Sequence, residues 1–133
     1  ESGKRFEVVA TAAIERSNNP GDIDLSEPIA IIFSDDGSTL NISSQIGAYS
    51  QTDSGVALRG NVIVTDSGRG MTMETEMLDA NLSSGDLHTT TDVRVTSETA
   101  LVLAEGMQLF DEGDLIVFSG KSKMTLHNAA KND

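Results

Sequence analysis

The chain has 133 residues, enough for one domain with a buried core, and its formal charge of −12 comes from 21 acidic and nine basic residues. That charge excludes a nucleic-acid-binding surface, which needs clustered Lys and Arg, and it disfavours adhesion to an anionic membrane surface. Cysteine is absent, which leaves the redox compartment open, and no stretch approaches the roughly 18 apolar residues of a membrane helix.

The predicted elements alternate apolar and polar residues with a period of two, which indicates β-strands. FEVVATAAI at 6–14 predicts an opening strand with Phe6, Val8, Ala10 and Ile14 on one face, and PIAIIF at 28–33 follows the turn SNNPGD. From the DDG turn at 35–37 onward, strands of about five to eight residues lie between the turn clusters QTDSG, TDSGRG, SSGD and DEGD. Because no window has the apolar spacing of a helix, the sequence predicts an all-β protein.

A repeat of roughly 30 residues begins at residue 38. Each unit consists of an alternating strand, a polar turn and a second alternating strand. Such self-similarity predicts stacked hairpin-like units that bury their apolar faces against one another. The equivalent apolar positions of the three first strands are Leu40, Ile42 and Ile46, then Met71, Met73 and Met77, then Leu101, Leu103 and Met107.

Two glycines interrupt the apolar face of the second strands. Gly60 lies in the middle of VALRGNVIV at 56–64, Gly120 has the same place in the third unit, and Thr91 has it in the second. A glycine at such a point marks either a bend of the backbone or room left inside for a ligand. We favour the bend, because glycine bends are common in curved sheets.

The repeated apolar face is either the core of a closed sandwich or the wall of an open groove that holds a lipid. The methionines fit both uses, since an unbranched thioether adapts to irregular surroundings. The candidates for a groove are Ile42, Leu58, Val62, Met71, Met73, Met77, Val93, Val95, Leu101, Leu103, Met107, Phe118 and Met124.

Residues typical of catalysis are sparse. His88 and His127 are the only histidines, and they do not have the spacing of metal ligands. The acidic clusters at 35–37 and 111–114 are typical of turns rather than of a calcium loop, and DSGRG at 66–70 does not have the pattern of a phosphate-binding loop. We therefore expect no enzyme activity, no cofactor and no metal site.

The order of motifs resembles the periplasmic lipopolysaccharide-transport proteins, specifically their inner-membrane-anchored C component, LptC. The resemblance covers residues 6–126, and the soluble A component of the same system shares the fold. It rests on an aromatic-x-x-x-Ala-x-x-Ala strand at 6–13, then LNISSQIGAY, LRGNVIV, METEMLDANL, TTTDVRV and AEGMQLFDEGDLIVFSGKSKMTL.

The resemblance implies a twisted, boat-like antiparallel β-jellyroll that holds lipopolysaccharide acyl chains between its sheets. It implies that the chain receives lipid from an inner-membrane ABC transporter complex and passes it to a periplasmic bridge protein by edge-strand pairing. We expect Phe6, Val8 and Ala10 at one partner edge, and Ile116, Phe118 and Met124 at the other. The chain departs from what the resemblance implies in one respect. Lipid A carries phosphates, but the basic residues that could bind them are scattered along the sequence and outnumbered by acidic ones. They are Arg59, Arg69, Arg94, Lys121 and Lys123.

The leading hypothesis is a non-enzymatic lipid-transfer module, in one periplasmic domain over residues 1–133 with flexible ends at 1–5 and 127–133. The resemblance implies that a membrane helix before residue 1 tethers it to the inner membrane. The main alternative is a closed-core carbohydrate-binding or structural β-sandwich. A weaker one is a hydrolase with paired carboxylates in a β cleft.

Overall fold

The computed structural model describes residues 5–110 and 115–127, and every regular element in them is a β-strand. The predicted DEGD turn and almost all of the predicted flexible ends lie outside these ranges. The strands are β1 (Arg5–Val9), β2 (Ala12–Glu15), β3 (Asp22–Ser26), β4 (Ile29–Phe33), β5 (Thr39–Ser43), β6 (Ile46–Ser50), β7 (Gly55–Asp66), β8 (Met71–Asn81), β9 (Asp86–Thr89), β10 (Val93–Thr96), β11 (Ala100–Ala104), β12 (Gly106–Phe110), β13 (Leu115–Ser119) and β14 (Lys123–Leu126).

The strands form eight long passes of the chain, each of which bends near its middle. The passes are β1–β2, β3–β4, β5–β6, β7, β8, β9–β10, β11–β12 and β13–β14, and each is hydrogen-bonded antiparallel to the pass before and after it. The chain is therefore an up-and-down meander. The repeat predicted from the sequence corresponds to two successive passes, and the first two passes form one further pair.

The bends divide the sheet into two half-sheets that share the long strands β7 and β8. The first half-sheet joins β1, β4, β5, the second part of β7, the first part of β8, β10, β11 and β14. The second half-sheet joins β2, β3, β6, the first part of β7, the second part of β8, β9, β12 and β13. One cluster of buried apolar side chains is drawn from both half-sheets. The prediction of an all-β, antiparallel jellyroll built from hairpin-like units is confirmed.

The turns that join successive passes are closed by short polar side chains. Asp66 Oδ1 accepts hydrogen bonds from the backbone N–H groups of Gly68 and Arg69 at 3.0 and 3.2 Å. Asn81 Oδ1 accepts from Ser83 and Ser84 in the same way, at 3.0 Å each. Because Asp and Asn favour such turns, the polar clusters in the sequence mark where the passes end.

The opening strand departs from its prediction. It is interrupted at residues 10–11, so that Phe6 and Val8 pack against the core while Ile14 is 66% exposed on the opposite face. Ala10 lies in the interruption rather than in a strand. The bend in this pass changes which residues face inward, and strict alternation along 6–14 does not hold.

Candidate functional site

The inner face of the first half-sheet carries a continuous row of apolar side chains from one edge of the sheet to the other. The middle of the row is fully buried, with Ile42 at 0% exposure. Met124, in contrast, is 61% exposed at the edge of the sheet formed by β13 and β14, which we call the C-terminal edge. The interior is therefore packed at its centre and accessible at that edge. In cross-strand order, the row is Val8, Ala30, Ile42, Val64, Met73, Val95, Val102 and Met124.

The second half-sheet has a matching row on its inner face. Its central members are buried, and the members near both edges are only partly buried but still pack against the core. In cross-strand order, this row is Ile23, Tyr49, Val56, Ala80, Leu87, Leu109 and Ile116.

Most of the groove candidates face the interior, where they form or pack against the core. Met124 differs from the rest by its exposure at the edge. The inward-facing candidates are Ile42, Leu58, Val62, Met71, Met73, Val93, Val95, Met107, Phe118 and Met124.

The prediction that Met77, Leu101 and Leu103 face inward is wrong. Met77 and Leu103 are each 43% exposed, and Leu101 shares the outer face of β11 with Leu103. In β8 the inward positions shift by one at the bend, so Leu78 is buried in place of Met77. In β11 the run ALVLA is apolar on both faces, so alternation cannot tell which face is inward.

The structure places Gly60 in a β-bulge at the bend of β7. Arg59 is opposite Met77 and Val62 is opposite Thr75, so Gly60 and Asn61 together face one residue of β8. Both have positive φ, 85° and 51°, which bends the strand. Gly60 thus bends the backbone, and the Gln45 side chain lies where a Cβ would extend.

Gly120 lies at the equivalent bend, between β13 and β14. Its φ is 73°, and an added Cβ would collide with the side chain of Glu105 in the neighbouring pass. The preceding strand residue, Ser119, accepts a backbone hydrogen bond from Glu105 at 3.2 Å. The bend interpretation therefore holds at both glycines.

The middle unit replaces the glycine by hydrogen-bonded threonines. Thr91 Oγ1 lies 2.6 Å from Thr75 Oγ1 and 2.8 Å from Thr89 Oγ1, and the Thr75 hydroxyl also donates to the Asp92 carbonyl at 2.8 Å. Thr75 and Thr89 are buried. The hydroxyls satisfy one another inside the protein, which removes the cost of burying them.

Within residues 5–110 and 115–127, the sheet has two edges at which the outermost strands pair with a neighbour on one side only. One consists of β1 and β2, and the other of β13 and β14. Unpaired backbone N–H and C=O groups at such edges can pair with a strand of another chain. Phe6 and Val8 at the first edge, and Ile116 and Phe118 at the second, are partly buried against the core.

The perturbed ionisable groups belong to surface pairs and turns. Arg16 Nη2 donates to Asp24 Oδ1 at 2.8 Å and Arg16 Nε donates to Asp24 Oδ2 at 3.0 Å, and these hydrogen bonds raise the pKa of Arg16. Ser38 donates its hydroxyl and its N–H to Asp36, which lowers the pKa of that carboxyl group. The residues that the structure describes contain no group of three or more potential metal ligands and no helix able to cross a membrane.

The structure corrects the view that the basic residues are scattered. Arg94, Lys121 and Lys123 line one cleft on the outer face of the first half-sheet. Their positions in the sequence do not reveal this, because it depends on which strands pair. Arg59 and Arg69 lie elsewhere, on β7 and in the turn after it.

These features define a β-jellyroll with an apolar interior and two free edges. The chain belongs to the LptC family, since the family model described as "Lipopolysaccharide-assembly, LptC-related" matches residues 1–127. Membership implies a role in lipopolysaccharide transport, in the periplasm and in association with the inner membrane, with lipopolysaccharide and components of the Lpt transporter and bridge as partners. The family is a transport component and is not known as an enzyme. No curated protein matches the chain.

Proposed function

We propose that the protein is a passive carrier that binds lipopolysaccharide acyl chains between its half-sheets and transfers them to a second jellyroll at its C-terminal edge. The observation that carries the proposal is the inner row that ends at Met124, where a buried apolar surface becomes accessible at a free edge. Burial of acyl chains stabilises such a complex by about 0.8 kcal/mol per methylene.

The packed centre limits how far an acyl chain reaches in this conformation. Ile42 and Val62 are at 0% exposure and Val64 is at 1%. Acyl chains that bind deeper than the edge therefore require the half-sheets to move apart. The side chains nearest the C-terminal edge are the first that a chain would contact.

The same edge serves transfer in this proposal. A bridge protein that adds a strand beside β13 and β14 would extend both half-sheets, so that its own interior continues from Met124. The opposite edge, β1 and β2, would face the inner-membrane ABC transporter complex. We also propose that residues 1–133 act as one domain tethered by an N-terminal membrane helix, which the family's association with the inner membrane supports.

Met124 and Val117 provide a matched pair for testing this function. Both are exposed and lie in the last pass of the chain, but Met124 is on the inner face, whereas Val117 is on the outer face of β13, opposite to Ile116 and Phe118. A photo-crosslinking residue at position 124 should capture lipopolysaccharide in cells, whereas the same residue at 117 should not. Equal capture at both positions, or capture only at 117, would contradict lipid binding on the inner face.

The packed centre also favours a second candidate, a closed-core structural module that docks partners without holding lipid. The same experiment separates the two. Such a module would crosslink to protein partners at β13 and β14 and would capture no lipopolysaccharide at position 124.

A further inference from the structure

A cleft of about 440 Å³ opens on the outer face of the first half-sheet, beside the C-terminal edge. It is lined by residues of β10, β11 and β14 and of the segments next to them. Arg94 of β10 pairs with Leu103 of β11, and Leu103 pairs with Lys123 of β14, so the three side chains share one face. Lys121 adds a third cation from the bend before β14.

The charge of the cleft is opposite to that of the chain. Its lining has three cations and two carboxylates, those of Asp92 and Glu105, whereas acidic residues outnumber basic ones 21 to nine in the whole sequence. This excess of one positive charge favours the binding of an anion.

Among residues 5–110 and 115–127, most of the basic side chains outside the cleft lie close to a carboxylate of the protein. Arg16 lies 2.8 Å from Asp24, and weaker pairs join Arg5 to Glu7 at 3.7 Å and Arg69 to Asp66 at 3.9 Å. Among residues 5–110 and 115–127, no carboxylate lies within the 4.0 Å salt-bridge distance of the charged atoms of the three cleft cations.

Glu105 holds the wall of the cleft in place without neutralising the lysine side chains. Its Oε1 accepts a hydrogen bond from the backbone N–H of Lys121 at 2.9 Å. Gly120 makes this approach possible, because a side chain there would collide with Glu105. The segment 120–122 is therefore positioned by backbone contacts, and the Lys121 ammonium group is left to interact with a ligand.

We propose that this cleft binds a phosphate group carried on a lipid headgroup. A guanidinium binds two phosphate oxygens with its planar fork, and two ammonium groups add point charges that suit a dianion better than a single carboxylate. Leu103 provides apolar surface for the carbon atoms next to the phosphate. That the phosphate belongs to a lipid rests on the proposed function. Lys123 and Met124 are consecutive in β14, so this edge strand presents a cation on its outer face and an apolar side chain on its inner face.

The test is a titration of the isotopically labelled protein followed by the amide signals of residues 92–94, 103–105 and 121–123. The probes are monomeric short-chain phosphatidic acid, inorganic phosphate and, as a lipid without a phosphate monoester, short-chain phosphatidylcholine. Phosphatidic acid should shift these signals, and it should bind more weakly as ionic strength rises. Phosphatidylcholine should not shift them.

The variant is the triple substitution Arg94→Gln, Lys121→Gln and Lys123→Gln, and the control is Arg59→Gln. Arg59 is an exposed cation outside the cleft with no carboxylate within the salt-bridge distance among the described residues. The triple variant should bind phosphatidic acid roughly tenfold more weakly or worse, because it loses all three charged partners. The control should bind like the original protein.

The outcomes distinguish a lipid headgroup from free phosphate as the ligand, and they distinguish the cleft proposal from the proposed carrier function. Tighter binding of phosphatidic acid than of inorganic phosphate supports the lipid headgroup, whereas equal binding supports a site for the phosphate group alone and overturns the lipid source. Unchanged binding by the triple variant, or the absence of signal shifts with both phosphatidic acid and inorganic phosphate, overturns the proposal. If lipopolysaccharide is still captured at position 124 in that case, the carrier function stands. Phosphate binding without capture at 124 contradicts the carrier function alone.

Discussion

Gln45 occupies the space into which a side chain at Gly60 would extend, with its Oε1 2.5 Å from the position of a Cβ there. Gln45 N–H also donates to the Gly60 carbonyl at 2.9 Å. The two residues lie at the bends of adjacent passes, so this contact joins the bends to each other. Near the C-terminal edge, the Glu105 side chain likewise occupies the space into which a side chain at Gly120 would extend.

Gly60→Ala should destabilise the protein by about 1–3 kcal/mol, because alanine adds both positive-φ strain and the contact with Gln45. Urea unfolding measures the change. Gly70→Ala is the matched control, since Gly70 has a φ of 65° but no atom within 4 Å of an added Cβ. Adding Gln45→Ala to Gly60→Ala should recover part of the stability that Gly60→Ala loses beyond the loss in Gly70→Ala. Equal losses in the two single variants would mean that the contact is unimportant.

Thr75→Val should destabilise the protein by about 1–3 kcal/mol. Valine has a similar shape but removes the hydroxyl that lies 2.6 Å from Thr91 Oγ1 and donates to the Asp92 carbonyl at 2.8 Å, so that both groups lose a hydrogen-bond partner. Thr65→Val on the exposed face of β7 is the control and should change the free energy of unfolding by less than about 0.5 kcal/mol. A Thr75→Val variant as stable as the original protein would refute a stabilising role for the network.

Met73 and Met77 lie on the same strand but face opposite sides, with 2% and 43% of their surfaces exposed. Met73→Ala should cost about 2–5 kcal/mol, because it opens a cavity in the core, and Met77→Ala should cost less than about 1 kcal/mol. Thermal or urea unfolding of both variants compares the costs. Similar losses would show that the inward positions do not shift at the bend of β8.

The Ser38 hydroxyl donates to Asp36 Oδ1 at 2.6 Å and is the first cause of the lowered pKa of that carboxyl group. Ser38→Ala should raise the pKa of Asp36 toward its ordinary value of 3.8. A carbon-detected NMR titration measures it, with Ser44→Ala as a control because that hydroxyl donates to the Ile46 carbonyl instead.

The pH dependence follows from the same shift. Because the pKa of Asp36 is lower in the folded protein, its contribution to stability is fully present above pH 3.8 and is lost as the pH falls through the folded-state pKa. The stability difference between the original protein and Ser38→Ala should therefore shrink in acid. A difference that grows as the pH falls would contradict this sign.

Local residue patterns were sufficient to predict the all-β class, most of the strands and the repeat, although β3 and the interruption of the opening strand were not predicted. Alternation identified the β-structure, the clusters TDSGRG and SSGD marked ends of passes, and the repeat matched Gly60 with Gly120 at equivalent bends. These features could be predicted because each depends on residues close together in the chain: side chains alternate along a strand, and glycine adopts positive φ without steric cost.

Only the tertiary structure decided which face of each strand is inward and which distant residues meet. The bend of β8 moved Met77 outside, and the pairing of β11 placed Leu103 outside, although both fit the apolar pattern. The pairing of β11 with both β10 and β14 brought Arg94 and Lys123, which lie far apart in the sequence, to the lining of one cleft. The physical reason is that a one-residue change in register reverses every side chain of a strand, and register is set by contacts between strands rather than within them.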